Sequence, residues 1–569
     1  MSGYVAIIAR IKAIPRIRPL LRDEEMLSIP LDENLVLMYY STTKTLTGNQ
    51  IFQGYAVDHE KKQLIFPGAS PDDLPDPASP KDGSYFTARI EKETVTFGTD
   101  LNGYVSMCWF ESPLATVISD SFLTLLGLRN ALGLACSPNM ETIAGRMWVN
   151  AITNSQVGTA TFCEEITYCT PGTALTYDIP KGKTTQSQRN LVSQYKASFT
   201  SHSDAIHNTA ARMIGVFRGF AETNGAVNLS LSGGTDSRAC LAAALAAGIG
   251  EVLHIGSKDN GRLDYPIAVE LSRKFGFPLN KPSPWLQGRL ESRDPLSVWA
   301  GMNLGLYDSL YATSKFRRRK APVFSVGGQG AELSKGNYGW RPVREISMPQ
   351  EALSQAKEAL AAIGLASDDP WESEWHYLAF RNPIHSGQAL LNSDYVSRPC
   401  AQAPIIGLSR SELNQFPAPR KAQYNIIGDL LVYINPELAL HRFDSRAKNF
   451  TPDRIARRLK ALGGPLDPKD VTGYRLIGSA LPSTGFLKSH TSIAESFGFA
   501  GDINGKNLWE KATATLSHFE EVIPDSILHL AKSINPEDAK TISSQDRGGT
   551  ALGKLVSLYP LTVSISHLS

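Results

Sequence analysis

Ser232-Gly233-Gly234-Thr235-Asp236-Ser237 follows the apolar run Val227–Leu231 and leads without a break into the Ala/Leu-rich stretch Arg238–Ala247. A short buried strand, a glycine turn and an immediate helix together predict an anion site. The paired glycines let the backbone approach a phosphate chain and take conformations closed to other residues. The helix that follows directs unpaired N–H groups and its positive dipole end at the anion. Ser232 and Ser237 can add hydroxyl donors. Asp236 is acidic where an anion should bind, so it calls for a cation, and Mg²⁺ on a polyphosphate is the natural one. The loop has neither the GxxxxGK[ST] spacing of a Walker A loop nor GxGxxG.

Working outward, Val252–Ile255 reads as a second apolar strand, Pro266–Phe275 as a second helix and Ala321–Val326 as a further strand before another glycine loop. Strands alternating with helices predict a parallel sheet covered by helices, an α/β fold. Asp204–Glu222 has amphipathic helical spacing, and 350–365 and 420–434 read as helices. Upstream, Tyr4–Ile8, Leu35–Tyr40, Tyr85–Ile90, Val105–Phe110 and Ala115–Ser119 read as strands, and Ser121–Leu132 and Pro138–Asn150 as helices. Residues 67–83, with five prolines, predict a surface loop, and the polar stretch 180–202 a linker. Past 450 the pattern weakens, with helices near 453–462, 507–520 and 526–533. Three regions result: an α+β part over 1–195, a nucleotide-binding α/β part over 196–450, and a helical extension of that part over 451–569.

The 569 residues carry 57 Lys+Arg against 55 Asp+Glu, a formal charge of +2, with 42% hydrophobic residues. That composition is ordinary for a globular protein and long enough for two to four domains. The balance lacks the basic footprint of a nucleic-acid binder. The six cysteines form no CxxC pair, which argues against a structural zinc and for thiols in a reducing cytoplasm. No stretch is apolar for long enough to be a signal or a membrane span, so no membrane partner is expected.

The strand–SGGTDS–helix unit resembles the PP-loop ATP pyrophosphatases and, more narrowly, the synthetase domain of the asparagine synthetase family. Leu253-His254-Ile255-Gly256 resembles that family's second strand, and Asp264 with Leu271–Gly276 its acid-led helix. Gly327-Gly328-Gln329-Gly330-Ala331-Glu332 resembles its second glycine loop, with Glu332 where the family has a metal-binding Asp. The resemblance implies ATP and Mg²⁺ as cofactors. It places Leu231, Ser232, Gly233, Gly234, Asp236, Ser237, Ile255 and Gly328 on the nucleotide and Asp236 and Glu332 on the metal. Lys448, in Arg446-Ala447-Lys448, resembles the family's adenylate-contacting lysine and is, with Asp236, the candidate catalytic residue. Arg398-Pro399 resembles a further family segment that lacks its aspartate here.

The N-terminal segments Thr99–Gly103, Ala115–Ser119, Thr161–Ile166 and Pro171-Gly172 resemble the end of an N-terminal-nucleophile glutaminase domain. Active members begin Met-Cys-Gly, whereas this chain begins Met1-Ser2-Gly3. The motifs that hold glutamine are absent from 30–95. The resemblance therefore implies a degenerate glutaminase joined to a working synthetase. Carboxylate attack on the α-phosphorus would give an acyl-adenylate and pyrophosphate, and an amine would then form the amide and release AMP.

The reaction expected is intramolecular macrolactam closure of the lasso-peptide cyclase type, with a small-molecule or peptide carboxylate as substrate. A precursor-processing protease or leader-peptide-binding protein is the partner such a cyclase needs. Arg317-Arg318-Arg319-Lys320 could guide an acidic substrate. Amidation of a small amino acid, as by asparagine synthetase or β-lactam synthetase, is the alternative, and a non-catalytic nucleotide-binding scaffold is a third. Tyr307, Tyr311 and Tyr338 flank the site in sequence, and none is assigned as base.

Overall fold

The computed structural model describes residues 3–21, 26–43, 46–195, 199–259, 261–281, 286–311, 315–336, 338–367, 369–416, 425–483, 486–534 and 547–566, with the backbone alone at 286–291, 315–318 and 565–566. Ser2 lies outside them. The fold is mixed α/β: a six-stranded antiparallel sheet, an eight-stranded sheet that is antiparallel but for its last pair, a four-stranded parallel sheet, and a two-stranded ribbon of Leu286–Ser292 with Lys315–Arg319. One antiparallel sheet runs Thr167–Cys169, Met107–Glu111, Ala115–Ser119, Tyr4–Arg10, Leu35–Ser41, Met26–Pro30. The other runs Lys183–Gln188, Thr173–Asp178, Thr94–Thr99, Asp82–Ile90, Gln50–Asp58, Gln63–Ile65, Arg475–Ile477.

Alternation along these strands builds the layers. Tyr4, Ala6, Ile8, Leu37 and Tyr39 face Phe86, Phe97 and Leu175 of the second sheet. Tyr4 and Phe86 stack with centroids 4.1 Å apart. The opposite residues, Val5, Ile7, Val36 and Met38, pack on the helices Ile14–Leu21 and Phe122–Leu132. The outer face of the second sheet meets the helix His202–Glu222 and the parallel sheet through Tyr55, Phe66, Phe220, Phe324 and Tyr395.

The parallel sheet runs Leu253–Gly256, Ala226–Ser230, Val323–Val326, Tyr395–Ser397. Val227 pairs with Leu253 and Phe324, and Leu229 with Ile255 and Val326. These rows bury against His202–Glu222, Thr235–Ala247 and Ile426–Ile434. The intervening row, His254, Asn228 and Ser325, is polar and only partly buried.

Three sequence expectations are corrected. The stretch 180–202 is not a linker: Lys183–Gln188 is the exposed edge strand of a sheet, which explains its polarity, and the short helix Leu191–Gln194 follows. The loop 67–83 is only partly surface, because Ala69 and Leu74 are buried and Pro75 O accepts from Gln50 Nε2. The region 451–569 does more than extend the parallel-sheet part. Pro452–Leu462 packs on Ile426–Ile434, but Arg475–Ile477 adds a strand to the second antiparallel sheet. Lys488–Ser496 and Arg547–Ser566 join the core formed with Phe122–Leu132.

A buried ion triad fastens that return. Asp308 Oδ1 lies 2.8 Å from Arg146 Nη2 and its Oδ2 2.8 Å from Lys554 Nζ, with all three side chains fully buried. Burial draws the Lys554 ammonium down to about 8, against the pull of Asp308. The unfolded lysine keeps its proton to 10.5. Between those values the unfolded chain holds the extra proton, so Lys554 makes stability rise with pH there. We expect a wild-type rise on the order of 2–3 kcal/mol across that window that Lys554→Met lacks, measured by urea unfolding at pH 8 and pH 10.5.

Candidate nucleotide site

The first glycine loop leaves the strand Ala226–Ser230 and enters the helix Thr235–Ala247, whose N-cap is Gly234 with no side-chain cap bond. The loop is held from within. Ser232 N–H donates to Ser237 Oγ at 3.0 Å, Gly234 N–H to Ser232 Oγ at 3.3 Å, and Gly233 N–H to Asp264 Oδ1 at 2.6 Å. The two serine hydroxyls also meet at 3.0 Å. Ser232 and Ser237 therefore shape the loop first, and the Gly233 amide is committed to Asp264. The uncapped first turn of the helix is what the loop presents to an anion.

The second loop, Gly327–Glu332, follows the adjacent strand Val323–Val326 and lies against the first. A Cβ on Gly328 would sit 2.6 Å from Asp236 Cβ and 2.7 Å from Ser237 N. Only glycine allows this approach. Gly328→Ala should therefore push the loops apart and cost about 1–3 kcal/mol of stability, read by urea unfolding.

Between the loops lies a cavity of about 560 Å³, lined among others by Ser232, Asp236, Lys258, Gly328 and Glu332. Asp236 divides its carboxylate. Oδ2 accepts from Lys335 Nζ at 2.5 Å, while Oδ1 is buried with no hydrogen-bond partner. Glu332 Oε2 accepts from Gly330 N–H at 2.8 Å. Burial raises the Glu332 carboxyl above its usual range, and the neighbouring Asp236 adds to the shift. Sequence reasoning misses Lys335 altogether. The cation beside Asp236 in this structure is that ammonium.

The same geometry tests the fit of a divalent ion. The unpartnered Asp236 oxygen, with Glu332 near by, suits one such ion. Among the described residues no group of three or more His, Cys, Asp or Glu side chains could hold a metal alone. Phosphate oxygens would have to complete its shell, the usual arrangement for Mg²⁺.

Leu231 and Ile255 are buried beside the loop, and Leu231 N–H donates to Gly256 O at 2.8 Å. Asn280 fastens the turn after Ile255 by bonding both Ser257 N and Ser257 O, at 2.9 and 3.0 Å. Lys448 Nζ lies 2.8 Å from Asp444 Oδ1, and Asp444 N–H donates to Gly233 O at 3.2 Å. Lys448 is thus held one residue from the first loop. Arg238, stacked 3.7 Å from the Phe443 ring and donating to His441 O and Arg442 O, ties this segment to the loop helix.

Other expected residues are placed elsewhere. Arg319 is buried on Asp394 at 2.7 Å, so it does not present a cation to a substrate; the side chains of Arg317 and Arg318 lie outside the described residues, and Lys320 is exposed. Arg398 is buried on backbone carbonyls, including Ser325 O at 3.0 Å. Tyr307 bonds His385 Nδ1 at 3.1 Å, Tyr311 bonds Asn303 at 3.2 Å, and Tyr338 faces Tyr377 with ring centroids 5.3 Å apart.

At the chain start the C-terminal return covers Gly3. A Cβ there would lie 2.4 Å from Leu487 Cβ. Asp120 Oδ1 accepts both Tyr4 N–H at 3.1 Å and the bond from His490 Nε2 at 2.9 Å, and His490 Nδ1 meets Thr124 Oγ1 at 2.7 Å.

No family model matches the chain, and no curated protein matches it. The solved structures similar over part of it include two amidotransferase-type enzymes. One is titled the allosteric regulatory enzyme of purine biosynthesis, with 9% identity and TM-score 0.21, covering 62% of this chain and 78% of that one. The other is glutamine phosphoribosylpyrophosphate amidotransferase from B. subtilis complexed with ADP and GMP, with 10% identity and TM-score 0.20, covering 59% and 77%. At those scores neither likeness carries an argument. Among the described residues no helix is long and apolar enough to cross a membrane.

Proposed function

We propose that the chain is an ATP-dependent, AMP-forming carbon–nitrogen ligase, a PP-loop synthetase of asparagine synthetase type joined to a degenerate glutaminase-like domain. The observation that carries this reading is the facing pair of glycine loops. Together they bring an uncapped helix start, Asp236 and Glu332 to one cavity, with one Asp236 oxygen left without a hydrogen-bond partner. Helix N–H groups would bind the phosphates, and Asp236 with Glu332 would hold one Mg²⁺. That ion, when bound, neutralises charge on the pyrophosphate leaving group. Lys448, kept beside Gly233 by Asp444, is the residue to meet negative charge on the acyl group.

Serine at position 2, where active glutaminases of that type carry cysteine, and the absence of glutamine-holding motifs from 30–95 support an amine that does not come from glutamine. Intramolecular closure of a substrate that carries both carboxylate and amine is the form of the reaction this favours. The test is product analysis with ATP, Mg²⁺ and pools of amino acids and peptides. AMP and pyrophosphate in equal amounts are expected. ADP with inorganic phosphate would reject the reading.

A further inference from the structure

Asp236 already carries a cation of its own. Lys335 ends the single helical turn Glu332–Lys335, and the chain reverses at once at Gly336 with φ 75°. This fixes the lysine stem beside the two carboxylates. Its Nζ sits 2.5 Å from Asp236 Oδ2, with the two side chains only 17% and 22% exposed.

The site needs that charge. Asp236, Glu332 and Asp264 all line the cavity, with Lys258 the cation on its wall among the described residues. A polyphosphate entering this space would add negative charge to carboxylates that already repel one another. Paired metal ions are one solution at phosphoryl-transfer centres, each ion taking carboxylate and phosphate oxygens. Here the Asp236 oxygen that a second ion would use is already bonded to an ammonium.

We propose that Lys335 is a built-in cation on Asp236 that takes the place of a second divalent ion, leaving the unpartnered Asp236 oxygen to one ion. Lys335 is a positioning residue: it acts through Asp236, setting how many metal ions the loops accept. The anion's identity rests on the nucleotide reading, whereas exclusion of the extra metal ion is a property of the free protein.

Mn²⁺ binding to the full chain, followed by electron paramagnetic resonance, tests this. Free Lys335→Met should gain one Mn²⁺ per chain, held at least about tenfold more tightly than any ion on the wild type. The site should vanish again in Lys335→Met with Asp236→Asn, and Lys335→Arg should behave as wild type. Lys335→Gln repeats the test should the methionine variant not fold. With pyrophosphate added, the wild type should take one ion and Lys335→Met two. Equal ion counts and affinities in wild type and both folded neutral variants would overturn the proposal. Were the extra ion to appear in Lys335→Met while neither protein bound pyrophosphate or ATP, the lysine's role would stand and the nucleotide reading would fall.

Discussion

Asp236→Asn should lower ATP-dependent pyrophosphate release by about a thousandfold, the scale of losing one preorganised charge at a reacting phosphate. The substitution keeps the side chain's shape and removes only its charge. Two contacts depend on that charge. Oδ1 is the buried oxygen without a partner that would meet the divalent ion, and Oδ2 holds Lys335. In the variant the ion loses its open ligand, and Lys335 is left with Glu332 alone. Helix propensity at this position changes little between Asp and Asn. Loss of the Lys335 ion pair and of the helix-start charge should lower stability by about 1–2 kcal/mol, so a variant that still unfolds cooperatively well above the assay temperature separates a functional loss from a folding defect. A rate within tenfold of wild type would remove Asp236 from the chemistry.

The second large effect lies far from the cavity. Asp308→Ala should destabilise the protein by about 3–5 kcal/mol, because it leaves Arg146 and Lys554 buried with no counter-charge. The damage should concentrate where the C-terminal helix Arg547–Ser566 docks, since Lys554 belongs to it. Limited proteolysis should cut that helix in the variant under conditions where the wild type survives, and urea unfolding should begin earlier. Replacing all three residues together, Arg146→Met, Asp308→Leu and Lys554→Met, should recover much of the loss, because paired buried charges are often no better than apolar packing of the same volume. If the triple substitution were as unstable as Asp308→Ala, desolvated charge would not be the cause.

Local chemistry makes much of the site legible in the sequence. A strand, a Gly-Gly turn and a helix start within about ten residues need no distant partner to be read, and both loops lie where their sequence implies. The long-range contacts are hidden. Asp264 reads as the first residue of a helix, yet its carboxylate accepts the Gly233 amide from thirty-one residues away. Lys335 is missed altogether, and only the meeting of adjacent parallel strands turns it toward Asp236.

The helix Arg547–Ser566 is concealed by residues of poor helical propensity, three glycines in Arg547–Gly553 and Pro560 within. Packing explains one of them: a Cβ on Gly553 would lie 2.2 Å from Asp308 O. The close backbone approach that seats Lys554 on Asp308 needs the residue that weakens the helical pattern. Strand Gln50–Asp58 is obscured in the same way. Gly54, at φ 113°, interrupts its β-branched pattern, and a Cβ there would meet Ser84 O at 2.1 Å.

ATP–pyrophosphate exchange, with labelled pyrophosphate and pools of carboxylates, tests most directly whether the cavity activates an acyl group. Label should enter ATP only when a carboxylate substrate is present, should require a divalent ion, and should disappear in Asp236→Asn. ATP that binds but shows no exchange with any pool would contradict a ligase and leave a non-catalytic nucleotide-binding scaffold.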